Sequence, residues 1–317
     1  MYELTNVTSS PHIHCGRTVK GAMWAVCAAL LPAGFWGIRA FGAKALYLIC
    51  ASIISCLITE AVILRCRKKP VTIQDGSAVL TGLLLAYNVS PCVPVWLICV
   101  GGVFSIAVAK QAFGGLGRNI FNPALAGRAF LMASWPVHMT IFKNPIWQTD
   151  ALTTATPLTN LKHDFGFPSP AYIDLFTGNK SGCIGEVCVA ALLLGAAFLL
   201  YKKYIEFRIP FSFIATVALL SWVFMGDGLF RGDWLFFVLS GGLILGAFYM
   251  ATDYVTSPIT NKGKWIFGVL CGLLTFAIRK WGGYPEGVCY SILIMNAAVP
   301  LIERHTRPSR FGGKEIG

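Results

Sequence analysis

The stretch AKALYLICASIISCLITEAVIL, residues 43–64, holds only two charged side chains, Lys44 near its start and Glu60 near its end. At about 1.5 Å per residue in a helix, such a run spans the ~30 Å hydrocarbon core of a bilayer. Outward from it the same pattern repeats. Apolar windows fall at 18–37, 76–89, 92–110, 122–139, 184–201, 209–226, 234–253, 264–279 and 286–302, so the spacing predicts ten transmembrane helices with 43–64 included. The chain is 56% hydrophobic and 13% charged, with a mean hydropathy of +0.65. A soluble domain carries about 25% charged residues, so this chain lacks the polar surface to face water on all sides. The expected fold is all-α and polytopic, an integral membrane protein with broken or half helices. It forms one membrane domain over 1–317, with five helices in 18–139, a polar segment at 140–182, five more helices in 184–302 and a tail at 303–317.

Two windows are short or interrupted. Residues 76–89 follow Asp75-Gly76 and run into Asn88-Val89-Ser90-Pro91, and 122–139 open at Asn122-Pro123. Irregular backbone at membrane depth must be enclosed by protein or line a cavity. With the N-terminus inside, the segments between spans hold seventeen Lys and Arg on the inner side and eight on the outer, which orients both termini toward the cytoplasm. The net charge of +12 therefore reads as membrane orientation. A nucleic-acid surface would interleave aromatic and basic residues, and none does. Residues 1–16 are polar and carry no signal-peptide pattern.

Eleven cysteines lie mainly in apolar runs and form no CxxC pair, so no metal centre is expected from this chain alone. His12, His14, His163 and His305 lie outside the spans and His138 at an end, which excludes a haem held between facing helices. Trp96-Leu97 and Trp234-Leu235 each open a run containing Gly-Gly, a hint of duplication, although the spans give both runs the same direction.

The outer segment 140–182 is long and polar, the kind of loop that carries function. It contains Asp150-Ala151-Leu152-Thr153-Thr154-Ala155-Thr156-Pro157-Leu158. On local grounds Thr156-Pro157 is a helix start, with Thr as N-cap and Pro at the first helical position. The string Asp-x-x-Thr-x-Ala-Thr also resembles the acceptor motif of flavin transferases, with Thr154 where Gly is usual. Two further blocks, Gly114-Gly115-Leu116-Gly117-Arg118-Asn119-Ile120-Phe121-Asn122-Pro123-Ala124-Leu125-Ala126-Gly127-Arg128-Ala129-Phe130 and Met250-Ala251-Thr252-Asp253-Tyr254-Val255-Thr256-Ser257-Pro258, resemble the family of the Rnf D subunit and the B subunit of the sodium-pumping NADH:quinone reductase. The short N-terminus favours the Rnf branch.

That resemblance implies FMN joined through its phosphate to Thr156, with Asp150, Thr153 and Ala155 as the rest of the acceptor motif, and riboflavin as a second candidate cofactor. It implies a redox subunit, inactive alone, of a bacterial inner-membrane complex that couples ferredoxin oxidation and NAD reduction to sodium or proton export. The implied partners are Rnf subunits A, B, C, E and G, membrane lipid and a flavin transferase, with the flavin loop on the outer face. The alternatives are a component resembling the B subunit of the quinone reductase, and a solute channel or carrier without flavin.

The remaining candidates are polar groups near or within spans. Arg128 has two readings, snorkelling to an interface or contact with a flavin or an acidic partner; Asn122 is a further cofactor-binding candidate. Glu60 and Glu286 fall near span ends and are expected at interfaces. Asp75 and Asp253 adjoin breaks and are expected to line a cavity for a coupling cation or a second flavin. Gly114–Gly117 reads as a tight turn, since no Gly-Lys-Ser/Thr follows to make a phosphate loop.

Overall fold

A computed structural model describes residues 18–70, 73–147, 153–163, 170–226 and 228–307. The first two helices, α1 (Val19–Phe41) and α2 (Ala43–Cys66), form a hairpin joined by Gly42 alone. Thr18 caps α1, its hydroxyl accepting from Gly21 N at 3.1 Å. Gly42 makes the reversal at φ +74 while its N–H still bonds Ile38 O at 2.7 Å, a conformation that costs glycine least. Both helices are long and apolar enough to cross a membrane.

The third helix, α3 (Ser77–Tyr87), has 11 residues, about 16 Å and half a bilayer. Asp75 starts it by accepting from Ser77 N at 2.9 Å and Ser77 Oγ at 2.7 Å. At its other end, Asn88 Nδ2 donates to Leu84 O at 2.7 Å. Gly185 N and Ile184 N donate to Tyr87 O and Val89 O at 3.0 and 3.1 Å. The half helix is thus completed by a distant segment, as an interruption away from water requires.

Next, α4 (Val95–Phe104) continues into a π-helical stretch, Ser105–Gln111. A turn with Gly114, Gly115 and Gly117 at φ +116, +99 and +88 leads to α5 (Pro123–Ser134), and Trp135-Pro136 separates it from α6 (Pro136–Thr140). The polar segment that follows has structure of its own. Strand β1 (Phe142–Lys143) pairs antiparallel with β2 (Thr153–Thr154), and two short helices come next, α7 (Pro157–His163) and α8 (Tyr172–Thr177).

The second half contains α9 (Val189–Tyr201), α10 (Arg208–Phe224), α11 (Trp234–Leu239), α12 (Leu243–Leu245) with a π turn Gly246–Met250, α13 (Asn261–Trp281) and α14 (Val288–Thr306). The window 234–253, expected as one helix, is divided at Ser240-Gly241-Gly242, where Gly241 takes φ +69. A π turn follows a Gly-Gly pair in both Trp-Leu runs; such turns gather at functional sites. Helix α1 packs on α9, α2 on α3 and α4, and α10 on α13. Leu31, Phe35, Ile54, Ile58, Leu194 and Leu219 are exposed on the outside of the bundle, an apolar surface too extensive for water.

Candidate cofactor cavity

Thr156 ends the extended approach from β2 and caps α7. Its Oγ1 accepts from Thr159 N at 3.2 Å and lies 2.7 Å from Thr159 Oγ1. Both local and chemical readings of Thr156 therefore fall on one oxygen. The surrounding segment is anchored on several sides. Ser181 Oγ donates to Ala155 O at 2.7 Å, and Leu158 is buried with Leu175, Phe236 and Phe237.

Lys162 supplies the third anchor. Its Nζ donates to Ile278 O (3.3 Å), Arg279 O (3.0 Å), Tyr284 O (3.4 Å) and Gly282 O. Ile278 O, Arg279 O and Gly282 O lie at the C-terminal end of α13 and its cap, where a lysine is favoured, and Tyr284 O lies in the loop beyond it. Burial holds its ammonium below the usual lysine range. Lys162→Met should loosen α7 by about 1.5–3 kcal/mol, the worth of hydrogen bonds to a charged group. Amide exchange over 157–163 would rise, and Lys162→Arg would restore part of the protection; unchanged exchange in the methionine variant would contradict the anchor.

Beside Thr156 lies a cavity of about 510 Å³, bounded by α5, α6, β1, α7 and the start of α14. That is within the ~300–1,000 Å³ of small-molecule sites. Ala155, Thr156, His163, Arg128, Tyr284 and Tyr290 are among its lining residues. Arg128 is only 4% exposed, so it does not snorkel. Its Nη1 donates to Asn88 Oδ1 at 3.0 Å, and its Nη2 pairs with Glu286. Glu286, expected at an interface, is instead the largely enclosed counter-ion of Arg128, its side chain 13% exposed.

Behind this floor is a charge cluster that hydropathy and motifs do not reveal. Arg279 donates from Nη1 to Phe237 O (2.6 Å), from Nη2 to Ser240 O (3.3 Å) and from Nε to Glu286 O (3.1 Å). Lys180 Nζ donates to Leu239 O at 2.7 Å, and burial pushes its ammonium down to about 8. Two cations thus meet the carbonyl end of the broken helix α11, the end that attracts positive charge. Glu186 completes the cluster: Oε1 accepts from Cys183 N at 3.0 Å, and Oε2 is buried without a hydrogen-bond partner. Cys183 Sγ and one oxygen each of Glu186 and Glu286 lie within 4.8 Å of one another, with Arg128, Lys180 and Arg279 around them. The count of flanking charges places Lys180 and Arg279 on the outer side and Lys110 on the inner. All three are buried, and without them the Lys and Arg balance is sixteen to six. The Gly-Gly inside an apolar run is the one signal in the sequence, because a helix broken there must find partners for its last carbonyls.

A smaller cavity of about 70 Å³ is lined by Ser77, Thr81, Lys110, Asn119, Asn122 and Asp253, among others. At about 70 Å³ against about 510 Å³, it is far the smaller of the two cavities. Asn122 belongs here, apart from Thr156. It caps α5, accepting from Ala124 N at 3.1 Å, and its Nδ2 reaches Met250 O at 3.3 Å. Asp253 accepts from Thr256 Oγ1 at 3.1 Å. Asp75 does not line this cavity; it holds Ser77, which does. Lys110 Nζ binds Glu60 at 2.7 and 2.9 Å and Ser77 Oγ at 2.6 Å, so Glu60 is also interior. Thr153 contributes backbone to β2, and Asp150 lies outside the described residues. Of the expected site residues, Ala155, Thr156 and Arg128 share the larger cavity, and Asn122 and Asp253 share the smaller.

Interrupted helices around buried charge, within an apolar exterior, define a polytopic membrane protein with an internal site. The chain belongs to the NQR2, RnfD, RnfE family, whose model matches residues 6–312. It is 49% identical over 316 residues to the D subunit of the proton-translocating ferredoxin:NAD(+) oxidoreductase complex of Clostridium ljungdahlii, covering 96% of each chain. It is also 49% identical to the D subunit of the Na(+)-translocating ferredoxin:NAD(+) oxidoreductase complex of Acetobacterium woodii (98% of this chain, 96% of the relative). Identity to the D subunit of the ion-translocating oxidoreductase complex of Aliivibrio salmonicida is 36%, over 98% of this chain and 99% of that one.

Proposed function

We propose that this chain is the D subunit of an ion-translocating ferredoxin:NAD oxidoreductase, carrying FMN esterified to Thr156. The observation that carries the flavin is the position of Thr156: its hydroxyl caps an anchored helix at the wall of a ligand-sized cavity floored by Arg128. The residues fit the group. An ester oxygen at Thr156 has no hydrogen to give, yet it still accepts from Thr159 N and from the Thr159 hydroxyl, so the helix cap survives the modification. Arg128 offers positive charge to a ring or ribityl chain, and Tyr284 and Tyr290 offer aromatic surface. Bound FMN supplies one- and two-electron chemistry, while the protein supplies position and electrostatics. Because Thr156 is only 4% exposed, the flavin transferase has to act before α7 docks.

The chain then works within a complex of Rnf subunits A, B, C, E and G in the bacterial inner membrane. It crosses ten times, with both termini cytoplasmic and the flavin segment outside. The two relatives of equal identity are named for different ions, which puts the choice of ion in a few residues or in other subunits. The smaller cavity suits a coupling cation better than riboflavin by its volume. Asp253→Asn should lower ion transport with covalent flavin retained; unchanged coupled transport would remove Asp253 from the path.

The decisive test is flavin fluorescence of the SDS-denatured chain on a gel, with a mass measurement of the Thr156 peptide. The wild type should fluoresce, Thr156→Val should be dark and Thr156→Ser should keep the nucleophile. The valine variant also loses a cap worth about 1 kcal/mol, which the serine variant controls for. A dark wild-type band from a host with the transferase would instead favour a solute carrier. That is the second reading supported by the half helices α3 and α11, since carriers build their sites from such breaks.

A further inference from the structure

The charge cluster behind the larger cavity has one feature that ion pairing does not explain. Glu186 is 2% exposed and one of its oxygens has no donor, although cations stand on every side. An orphaned buried acceptor is costly, and another helix element could have supplied a donor. Glu286, within 4.8 Å, offers only a second carboxylate. A proton is the one ligand that turns two facing carboxyl groups into donor and acceptor.

We propose that Glu186, with Glu286, is a redox-linked proton site, taking up one proton when an electron enters the flavin cavity. This rests on the flavin reading above. The groups facing Glu186 come from every adjoining element: Arg128 from α5, Lys180 and Cys183 from the segment before α9, Arg279 from α13, and Glu286 before the start of α14. With the cavity uncharged, three cations oppose two carboxylates and favour their ionised forms. An electron added in the cavity that Glu286 and Arg128 line offsets that excess of positive charge and raises the proton affinity of the pair. In low-dielectric surroundings such coupling is strong. The balance is one electron from ferredoxin oxidation by the complex and one proton from a solvent hydronium ion, whose O–H bond breaks, leaving water, as one O–H bond forms on Glu186. No other bond breaks, and the proton leaves when the electron does.

The test is redox-difference infrared spectroscopy of the purified complex in H₂O and D₂O, with covalent flavin quantified by gel fluorescence in each sample. Reduction should produce a carboxylic-acid carbonyl band that shifts in D₂O, vanishes in Glu186→Gln and returns at a displaced frequency in Glu186→Asp. The pH dependence of the flavin potential should become shallower in the glutamine variant only. Should Glu186→Gln fail to assemble, the wild-type isotope shift and the displaced aspartate band decide the matter alone. A fluorescent wild-type chain with no deuterium-sensitive band overturns this inference and leaves the flavin reading intact. A band unaltered in Glu186→Gln or Glu186→Asp overturns it too, and a chain without covalent flavin overturns both.

Discussion

Lys110→Met should destabilise the protein by about 3–5 kcal/mol, the range for breaking one side of a buried ion pair. Lys110 is 1% exposed and Glu60 2%. The ammonium makes three bonds, two to Glu60 and one to Ser77 Oγ, and Gln111 Nε2 adds a third contact to Glu60 at 3.0 Å. Removing the cation leaves a buried carboxylate with Gln111 as its remaining hydrogen-bond partner among the described residues. The cost therefore comes mainly from the charge left behind. The double variant Lys110→Met/Glu60→Gln separates the terms, because it removes both charges. Its stability should recover most of the loss, since replacing a whole buried pair is often near neutral. Unfolding in mixed micelles followed by circular dichroism measures both. A single variant as stable as the wild type would mean that water reaches Glu60 through the small cavity.

Arg128→Met should have an effect of similar size, about 3–5 kcal/mol, and a second consequence in the cofactor cavity. Arg128 ties three elements together: its own α5, Asn88 at the end of half helix α3, and Glu286 before α14. Its loss unpairs Glu286 and frees the Asn88 carbonyl oxygen in the interior. Glu286→Gln in the same chain should restore much of the stability. Arg128→Met alone removes a positive charge from the cavity wall and should make the flavin bound there harder to reduce, whereas the double variant, which also removes the Glu286 charge from that wall, should bring the potential back toward the wild type. Titration of the flavin potential alongside unfolding separates the two roles. Wild-type potential with lost stability would confine Arg128 to structure.

The difference between what is legible in the sequence and what is not follows from the kind of information each feature carries. Runs such as 43–64 and 264–279 can be read because hydrophobic length is a local property. The ten windows each correspond to a helix or interrupted helix at nearly the read positions. Gly114–Gly117 is legible as a turn because positive φ is a local demand, and Thr156-Pro157 as a helix start because caps are set by neighbours in sequence. The break at Ser240-Gly241-Gly242 is not. Apolar content runs through it, and what stabilises it lies far away, in Lys180 and Arg279. Distance from the span centres places Glu60, Lys110, Arg279 and Glu286 near the water. Each is interior because a partner from another helix meets it.

A helical membrane protein of a known family, with Thr156 as the residue to suspect, can be read from the chain before it folds. Hydropathy, charge bias and short motifs act over a few residues and need no folding to be read. That Thr156 and Arg128 share one cavity while Asn122 and Asp253 share another emerges from the packing of the folded chain. It alone brought Glu186, Glu286, Lys180 and Arg279 into one buried cluster. Charges of opposite sign can be buried only when they meet, and residues as distant as Lys180 and Arg279 meet through the packing of whole helices.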